Sequence, residues 1–291
     1  MRYEGAIYRP PSEAGSFILQ VTIGCSHNRC TFCISFLEKK FRERQLEEIF
    51  ADIDEISSGY PGIERVFLAD GNAMVMATDK LLKILEKLYK SFPALQRVGL
   101  YATPQDLLHK SPEELVQLQK AGLGIVYLGV ETGNNELLAW IRKDVTRDQI
   151  AEAGIKAREA GLTLSVTIIN GLGGLERMAV HAADTASLLN EIDPHYVGLL
   201  TLMVVDGTAM ARKVARGEFK LPTPLEILDE IKMMVEGLEV SNCVFRANHA
   251  SNYLPLKGTL PGDKQKIIAT LDTMLRDRDV GRLRPEYLRG L

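Results

Sequence analysis

The sequence predicts an α/β fold, a partial (β/α)6 barrel of the TIM type with a short C-terminal extension. Short apolar runs alternate with longer amphipathic stretches, which is the pattern of repeated strand-helix units around a parallel sheet. The apolar runs are nearly continuous in Val, Ile and Leu, as expected of strands covered on both faces. At 291 residues, the chain has a comfortable length for one such domain. A doubly wound open sheet is the alternative that satisfies the same pattern.

In chain order the predicted strands are Phe17 to Ile23, Arg65 to Leu68, Arg97 to Tyr101, Ile125 to Val130, Thr163 to Ile169 and Tyr196 to Leu202. After the first strand, Leu46, Ile49, Phe50, Ile53 and Ile56 recur at helical spacing, and after the second so do Leu81, Leu82, Ile84, Leu85 and Leu88. Ser111-Pro112-Glu113-Glu114 sets out an N-cap, a first-turn proline and a capping-box acid, and Thr146 with Gln149 repeats the device before a helix ending near Gly161. The pattern loosens from about Pro222 into a helix (Pro224 to Glu236), a strand (Cys243 to Arg246) and a loop rich in Asn and Pro. The expected organisation is therefore a barrel core over residues 1–221 and an extension over 222–291 that contributes substrate contacts. In such a barrel the chemistry lies at the C-terminal ends of the strands.

Bulk properties exclude several roles. The net charge of −3 provides no global field for a nucleic-acid backbone, so nucleic acid is not an expected partner. No apolar run approaches the roughly 18 residues of a membrane span, and the N-terminus lacks the layout of a secretory signal. The expectation is a cytoplasmic protein with no membrane partner. Four cysteines are too few for a disulfide scaffold, and three of them fall within nine residues, which suits metal binding in a reducing compartment.

Those three, Cys25, Cys30 and Cys33, follow the first predicted strand and so share one loop at the active end. Three thiolates leave one iron of a [4Fe-4S] cluster without a protein ligand, open to chelation by a small molecule. Two other readings fit the cysteines alone. A plant-type ferredoxin has the same C-x4-C-x2-C spacing plus a distant fourth cysteine, nominally Cys243, and would be an iron-sulfur electron carrier. A zinc site completed by His27 or Cys243 would suit a regulatory protein.

The loop resembles the cluster loop of the radical S-adenosylmethionine superfamily. That family's usual pattern is C-x3-C-x2-C with an aromatic residue before the last cysteine, matched here by Phe32, and this sequence has one extra residue in the first gap. Later strand ends extend the resemblance in order over roughly the first two hundred residues. Asp70-Gly71-Asn72 stands where the family has a Gly-Gly-Glu stretch that receives the amino group of the methionine moiety. Asp70 supplies an acceptor, and Gly71 permits close approach of the backbone. Gly129-Val130-Glu131-Thr132-Gly133 is similar to the Gly-Val-Glu-Ser-Gly of the branch containing anaerobic coproporphyrinogen oxidases, methylthiotransferases and the elongator radical subunit. Glu131 then faces the cofactor, and as a buried carboxylate it needs a partner such as Arg142 or Lys143. Asn170-Gly171-Leu172-Gly173-Gly174 resembles the family's turn past the adenine, and Val205-Asp206-Gly207-Thr208 a Pro-Gly-Thr turn of the same branch.

The resemblance implies S-adenosylmethionine as cofactor beside the [4Fe-4S] cluster, and an external one-electron reductant such as flavodoxin or ferredoxin. The implied activity is reductive cleavage of the cofactor to a 5'-deoxyadenosyl radical that abstracts a substrate hydrogen. For the substrate, Arg246, Asn248, His249 and Asn252 offer a cation, amides and an imidazole near one another after a predicted strand. The same Asn and Ser residues also suit turn backbone, and His249 suits a packed core. The sequence shows no separate cobalamin-binding segment and no cysteine-rich tail. The expected substrate is a small polar molecule, a modified nucleoside or base undergoing radical C–C cleavage of the queuine-lyase type. A tetrapyrrole and a tRNA-bound nucleoside are the alternatives.

Overall fold

A computed structural model of the chain describes residues 2–290. It falls into two compact units: the first takes in the N-terminal segment to Asn28, Ser35–Gly129 and Glu152–Leu164, and the second Arg29–Ile34, Val130–Ala151 and the chain from Ser165 onward.

The first unit is built on β1 (Phe17–Gln20), β2 (Thr22–Ile23), β3 (Arg42–Glu43), α1 (Leu46–Gly59), β4 (Arg65–Ala69), α2 (Thr78–Ser91), β5 (Arg97–Ala102), α3 (Pro104–His109), α4 (Pro112–Lys120) and β6 (Leu123–Glu131). Strands β1, β4, β5 and β6 are neighbours in that order, and each pair is parallel. Helix α1 buries Ile49 and Ile53, and α2 buries Leu81, Ile84, Leu85 and Leu88, the faces their spacing predicts. The two helices pack on each other.

One expected strand is broken. Phe17 to Ile23 was read as continuous, yet β1 ends at Gln20 and Thr22–Ile23 pairs antiparallel with β3. At Val21 the backbone changes partners: its N–H still donates to Ala69 of β4, while its carbonyl accepts from Arg44 N at 3.0 Å. The Arg44 guanidinium, paired with Asp52 at 2.8 Å, also donates to the Gln20 carbonyl at 2.7 Å. The chain is thereby turned out of the sheet just before the cysteine loop.

The second unit continues with α5 (Asn135–Trp140), the start of α6 (Arg147–Glu159), β7 (Thr163–Asn170), α7 (Met178–Ile192), β8 (Tyr196–Thr201), α8 (Ala209–Ala215), α9 (Pro224–Gly237), β9 (Cys243–Arg246), β10 (Lys257–Leu260) and α10 (Lys264–Asp277). Strands β7, β8 and β9 pair in parallel, and β10 closes the edge antiparallel to β9. Helix α9 packs between α7 and α10. The anticipated capping boxes are present at Ser111 with Glu114 and at Thr146 with Gln149. The architecture is thus the expected one, mixed α/β with mostly parallel strands, as in a partial TIM-type barrel. Among the described residues no helix is long and apolar enough to cross a membrane.

Candidate functional site

In the first unit, Cys25 leaves β2 through Gly24 and faces the turn that follows β4. Asp70 is fully buried there. Its Oδ2 accepts from Lys39 Nζ at 2.6 Å and from Gly24 N and Gln20 Nε2 at 3.3 Å each, while Oδ1 is buried with no partner among the described residues. A buried acceptor without a donor costs about 1–3 kcal/mol, so a structure that keeps one has an open place for a donor. Gly71 is required by proximity: a Cβ at this position would lie 2.4 Å from Gly24 O and 2.5 Å from Cys25 Cα.

Asn72, expected as a cofactor contact, is engaged by protein partners. Its Oδ1 accepts from Ser26 N at 2.9 Å, and its Nδ2 donates to Ser26 Oγ at 2.8 Å and to both oxygens of Asp106 at 2.9 and 3.1 Å. The amide is committed to holding the backbone next to Cys25. Asp106, whose pKa is raised chiefly by burial, is the capping-box acid of α3, accepting from Thr103 N at 2.8 Å. Sequence reading missed it, although Thr103-Pro104-Gln105-Asp106 repeats the Ser111-Pro112-Glu113-Glu114 pattern.

In the second unit, the turn at Cys30 is closed by Cys33 N donating to Cys30 O at 3.2 Å. Thr31 fixes it from two sides, donating to Ile141 O and accepting from Met210 N, both at 2.9 Å. Phe32 packs against the apolar cluster of Ile141, Ile169, Leu172, Leu202, Met210 and Phe219, so it anchors the loop. All three loop cysteines are half-buried and free of disulfides. Cys243 is different: it is buried in β9, and burial pushes its thiol up to about 12. It opens β9, where the next residue, Val244, pairs with Tyr196 at the start of β8, so the thiol stands at the N-terminal end of these parallel strands and not at the ends marked by Asn170 and Thr201. Among the described residues no three His, Cys, Asp or Glu side chains gather closely enough for a single metal ion.

Glu131 ends β6 buried, with its carboxylate 2.7 Å from Lys143 Nζ, the partner its burial demands. Its φ of 65° is the left-handed conformation, costly for a residue with a Cβ and found where the surroundings dictate it. Asn170 ends β7 fully buried, and both atoms of its side-chain amide lack partners among the described residues. Gly171 follows at φ +84°, where glycine is needed, and its N–H donates to Glu230 Oε2 at 2.6 Å. The other oxygen of Glu230 lies 2.6 Å from His181 Nδ1, and both side chains are completely buried. This Glu230–His181 support under the turn carries no motif; its one signal is an acid on the apolar face of α9, beside Ile227 and Ile231.

Of the four substrate candidates, two are exposed and two are engaged by the protein itself. Arg246 is exposed on β9 opposite Gly198, short of the β8 terminus at Thr201, and Asn248 is exposed in the following loop. His249 is half-buried with Nδ1 held by Ser251 Oγ at 2.9 Å, and burial lowers its pKa. Asn252 is fully buried; it accepts from Thr201 Oγ1 at 2.9 Å and donates to Leu199 O at 2.7 Å. Its amide ties the loop to β8.

In the first unit the Cys25 thiol is a donor of the kind a [4Fe-4S] cluster takes and Asp70 Oδ1 is an open acceptor; in the second, the Cys30 and Cys33 thiols are such donors and Asn170 offers an open donor and acceptor. A family model described as the Radical SAM superfamily matches residues 19–186, more than half of the chain. The heme chaperone HemW of Bacillus subtilis is 22% identical over 223 residues, which are 74% of this chain and 58% of that protein. The chain spans little more than half the length of the curated relatives it matches first. Among solved structures, coproporphyrinogen III oxidase (HemN) from Escherichia coli superposes with a TM-score of 0.57 at 18% identity, covering 76% of this chain and 51% of that one. Methylornithine synthase (PylB) gives 0.54 at 17% identity, covering 89% and 81%. At such identities these two likenesses speak for the fold alone.

Proposed function

The chain belongs to the radical SAM superfamily, and from that premise we propose that it is an enzyme cleaving S-adenosylmethionine reductively to begin radical chemistry on a small polar substrate. Its cofactors are a [4Fe-4S] cluster and S-adenosylmethionine. As in its family, the electron comes from an external reductant. When bound, the reduced cluster would supply one electron to the sulfonium of S-adenosylmethionine, the chemistry that releases methionine and generates a radical able to take a substrate hydrogen.

The chain's own residues then have distinct tasks. Cys25, Cys30 and Cys33 hold the cluster and leave one iron open. Asp70 accepts the cofactor's ammonium at Oδ1, a charge-assisted bond, while Lys39 fixes the carboxylate through Oδ2. Glu131, oriented by Lys143, receives the ribose or the amino-acid part, and the Asn170–Gly171 turn passes the adenine. For the substrate, the finer reading is a modified nucleoside or base undergoing C–C cleavage, with Arg246 and Asn248 the exposed polar groups of the tail left to meet it. Haem handling is the second reading, favoured by relatives named as heme chaperones.

The observation that carries this reading is Asp70, wholly buried with one oxygen saturated and the other waiting. Asp70→Asn removes a charged hydrogen bond worth about 1.5–3 kcal/mol, so affinity for S-adenosylmethionine should fall roughly 10- to 100-fold. Equilibrium dialysis against the anaerobically reconstituted protein measures this. Affinity within about twofold of wild type would remove Asp70 from the site.

A further inference from the structure

The only tryptophan of the chain lies in an unusual setting. Trp140 ends α5 partly exposed, its ring stacked on Phe219 with centroids 4.9 Å apart. Two cations lie over it, the Arg177 guanidinium at 5.5 Å and Lys213 Nζ at 5.3 Å from the ring centroid. Arg212, Arg216 and Lys220 stand exposed nearby, Lys220 directly after Phe219. The acids among them are Asp206, Glu176 and Glu218, the last paired with Arg216 at 2.8 Å. A chain of net charge −3 therefore gathers five cations against three acids around one aromatic residue. Trp and Arg at the centre of a charged rim are the composition of a protein-docking patch.

This patch is wired to the cysteine loop. Thr31, next to Cys30, donates to the carbonyl of Ile141, the neighbour of Trp140, and accepts from the N–H of Met210 on α8, the helix carrying Arg212 and Lys213. A body seated on Trp140 and α8 thus rests on two segments, each joined by one backbone hydrogen bond to the residue beside a cluster ligand. Electron transfer falls steeply with distance, so a donor would gain from this position.

We infer that the Trp140 face, with Arg177, Lys213, Arg216 and Lys220, docks an acidic protein that delivers single electrons to the cluster. The inference rests on the cluster reading above and names its partner's chemistry. The donor gives up one electron and the cluster takes it, with no group transferred. Nucleic acid fits less well: with a net charge of −3 the chain offers no wider positive field along which a phosphate backbone could run.

The test compares wild type with Arg216→Glu/Lys220→Glu, using flavodoxin as the probe. Neither residue belongs to the cofactor site. Surface plasmon resonance on the reconstituted holoprotein should show flavodoxin affinity falling about tenfold or more in the variant, and falling in wild type as salt rises from roughly 20 to 300 mM. Cofactor cleavage driven by reduced flavodoxin should weaken in parallel, while cleavage driven by dithionite, which needs no docking, stays at the wild-type rate. Flavodoxin affinity unchanged within about twofold, or insensitive to salt, overturns the proposal, as does tight binding of an RNA oligonucleotide with none of flavodoxin. Absence of cleavage with dithionite in both proteins would refute the enzymatic reading instead, and the binding measurement would still decide the docking face.

Discussion

Replacing Lys143 by Met isolates the buried ion pair at the end of β6. The Lys143 and Glu131 side chains are only 8% and 9% exposed, with nitrogen and oxygen 2.7 Å apart. At an effective dielectric near 20 the gross attraction is about 6 kcal/mol, an upper bound because desolvation opposes it. Removing one partner strands a buried Glu131 carboxylate without its cation, at a net cost of about 3–5 kcal/mol. That is a large share of the roughly 5–15 kcal/mol that stabilises a folded domain. At about 2–3 °C per kcal/mol, the melting temperature of Lys143→Met should fall by roughly 6–15 °C. Urea unfolding of the cofactor-free protein measures the free energy, and Glu131→Gln/Lys143→Met supplies the control. With the charge gone from both sides, the double variant should regain most of the loss, giving a coupling of about 2 kcal/mol or more. A single variant that loses under about 1 kcal/mol, or a double variant no better than the single, would refute the idea that Glu131 is held as a buried, oriented carboxylate.

Gly71→Ala places a Cβ 2.4 Å from Gly24 O and 2.7 Å from Cys25 Cβ, contacts that only a shift of the cysteine loop can relieve. Expect about 1–3 kcal/mol lower stability and a sharp fall in iron and sulfide bound per chain, with the circular dichroism of the helices retained. Glu230→Gln should weaken the support of Gly171 and His181, costing about 1.5–3 kcal/mol in urea unfolding and raising KM for S-adenosylmethionine with little change in kcat. His249 gives a pH dependence. Burial and the Arg284 cation hold its imidazole below the ordinary 6.5, so below that pH the unfolded chain takes up a proton that the folded chain resists. The stability that neutral His249 contributes is complete above pH 6.5 and is lost as pH falls towards its lower native value. Urea midpoints at about pH 7.5 and 5.5 should therefore drop further in wild type than in His249→Gln.

Strands β4 to β7 were legible because each is largely covered on both faces and reads as an apolar run, β8 because its apolar run persists although Tyr196 is exposed, and α1, α2 and α4 because their apolar spacing or capping residues are local. The break at Val21 was not, since a change of backbone partner depends on Arg44 and β3, distant in sequence. Strand β10 and helix α10 were overlooked, although Ile267, Leu271 and Met274 keep helical spacing. At the site, the acids after strand ends could be read from motifs. Lys39, Asp106, His181 and Glu230 could not, because each acts through a partner brought near by folding. The segment from Arg246 to Asn252 shows the opposite failing: polar residues that look like a binding set include Asn252, whose amide is used to fasten its own loop.

The measurement that bears most directly on the chain's function is chromatography for 5'-deoxyadenosine after anaerobic reconstitution, reduction with dithionite and addition of S-adenosylmethionine. Wild type should release the nucleoside, and Cys30→Ala, deprived of one cluster ligand, should release none. Release that persists in Cys30→Ala, or a wild-type protein with a full four-iron cluster that leaves the cofactor intact, would contradict the assignment of cofactor cleavage to the cysteine loop.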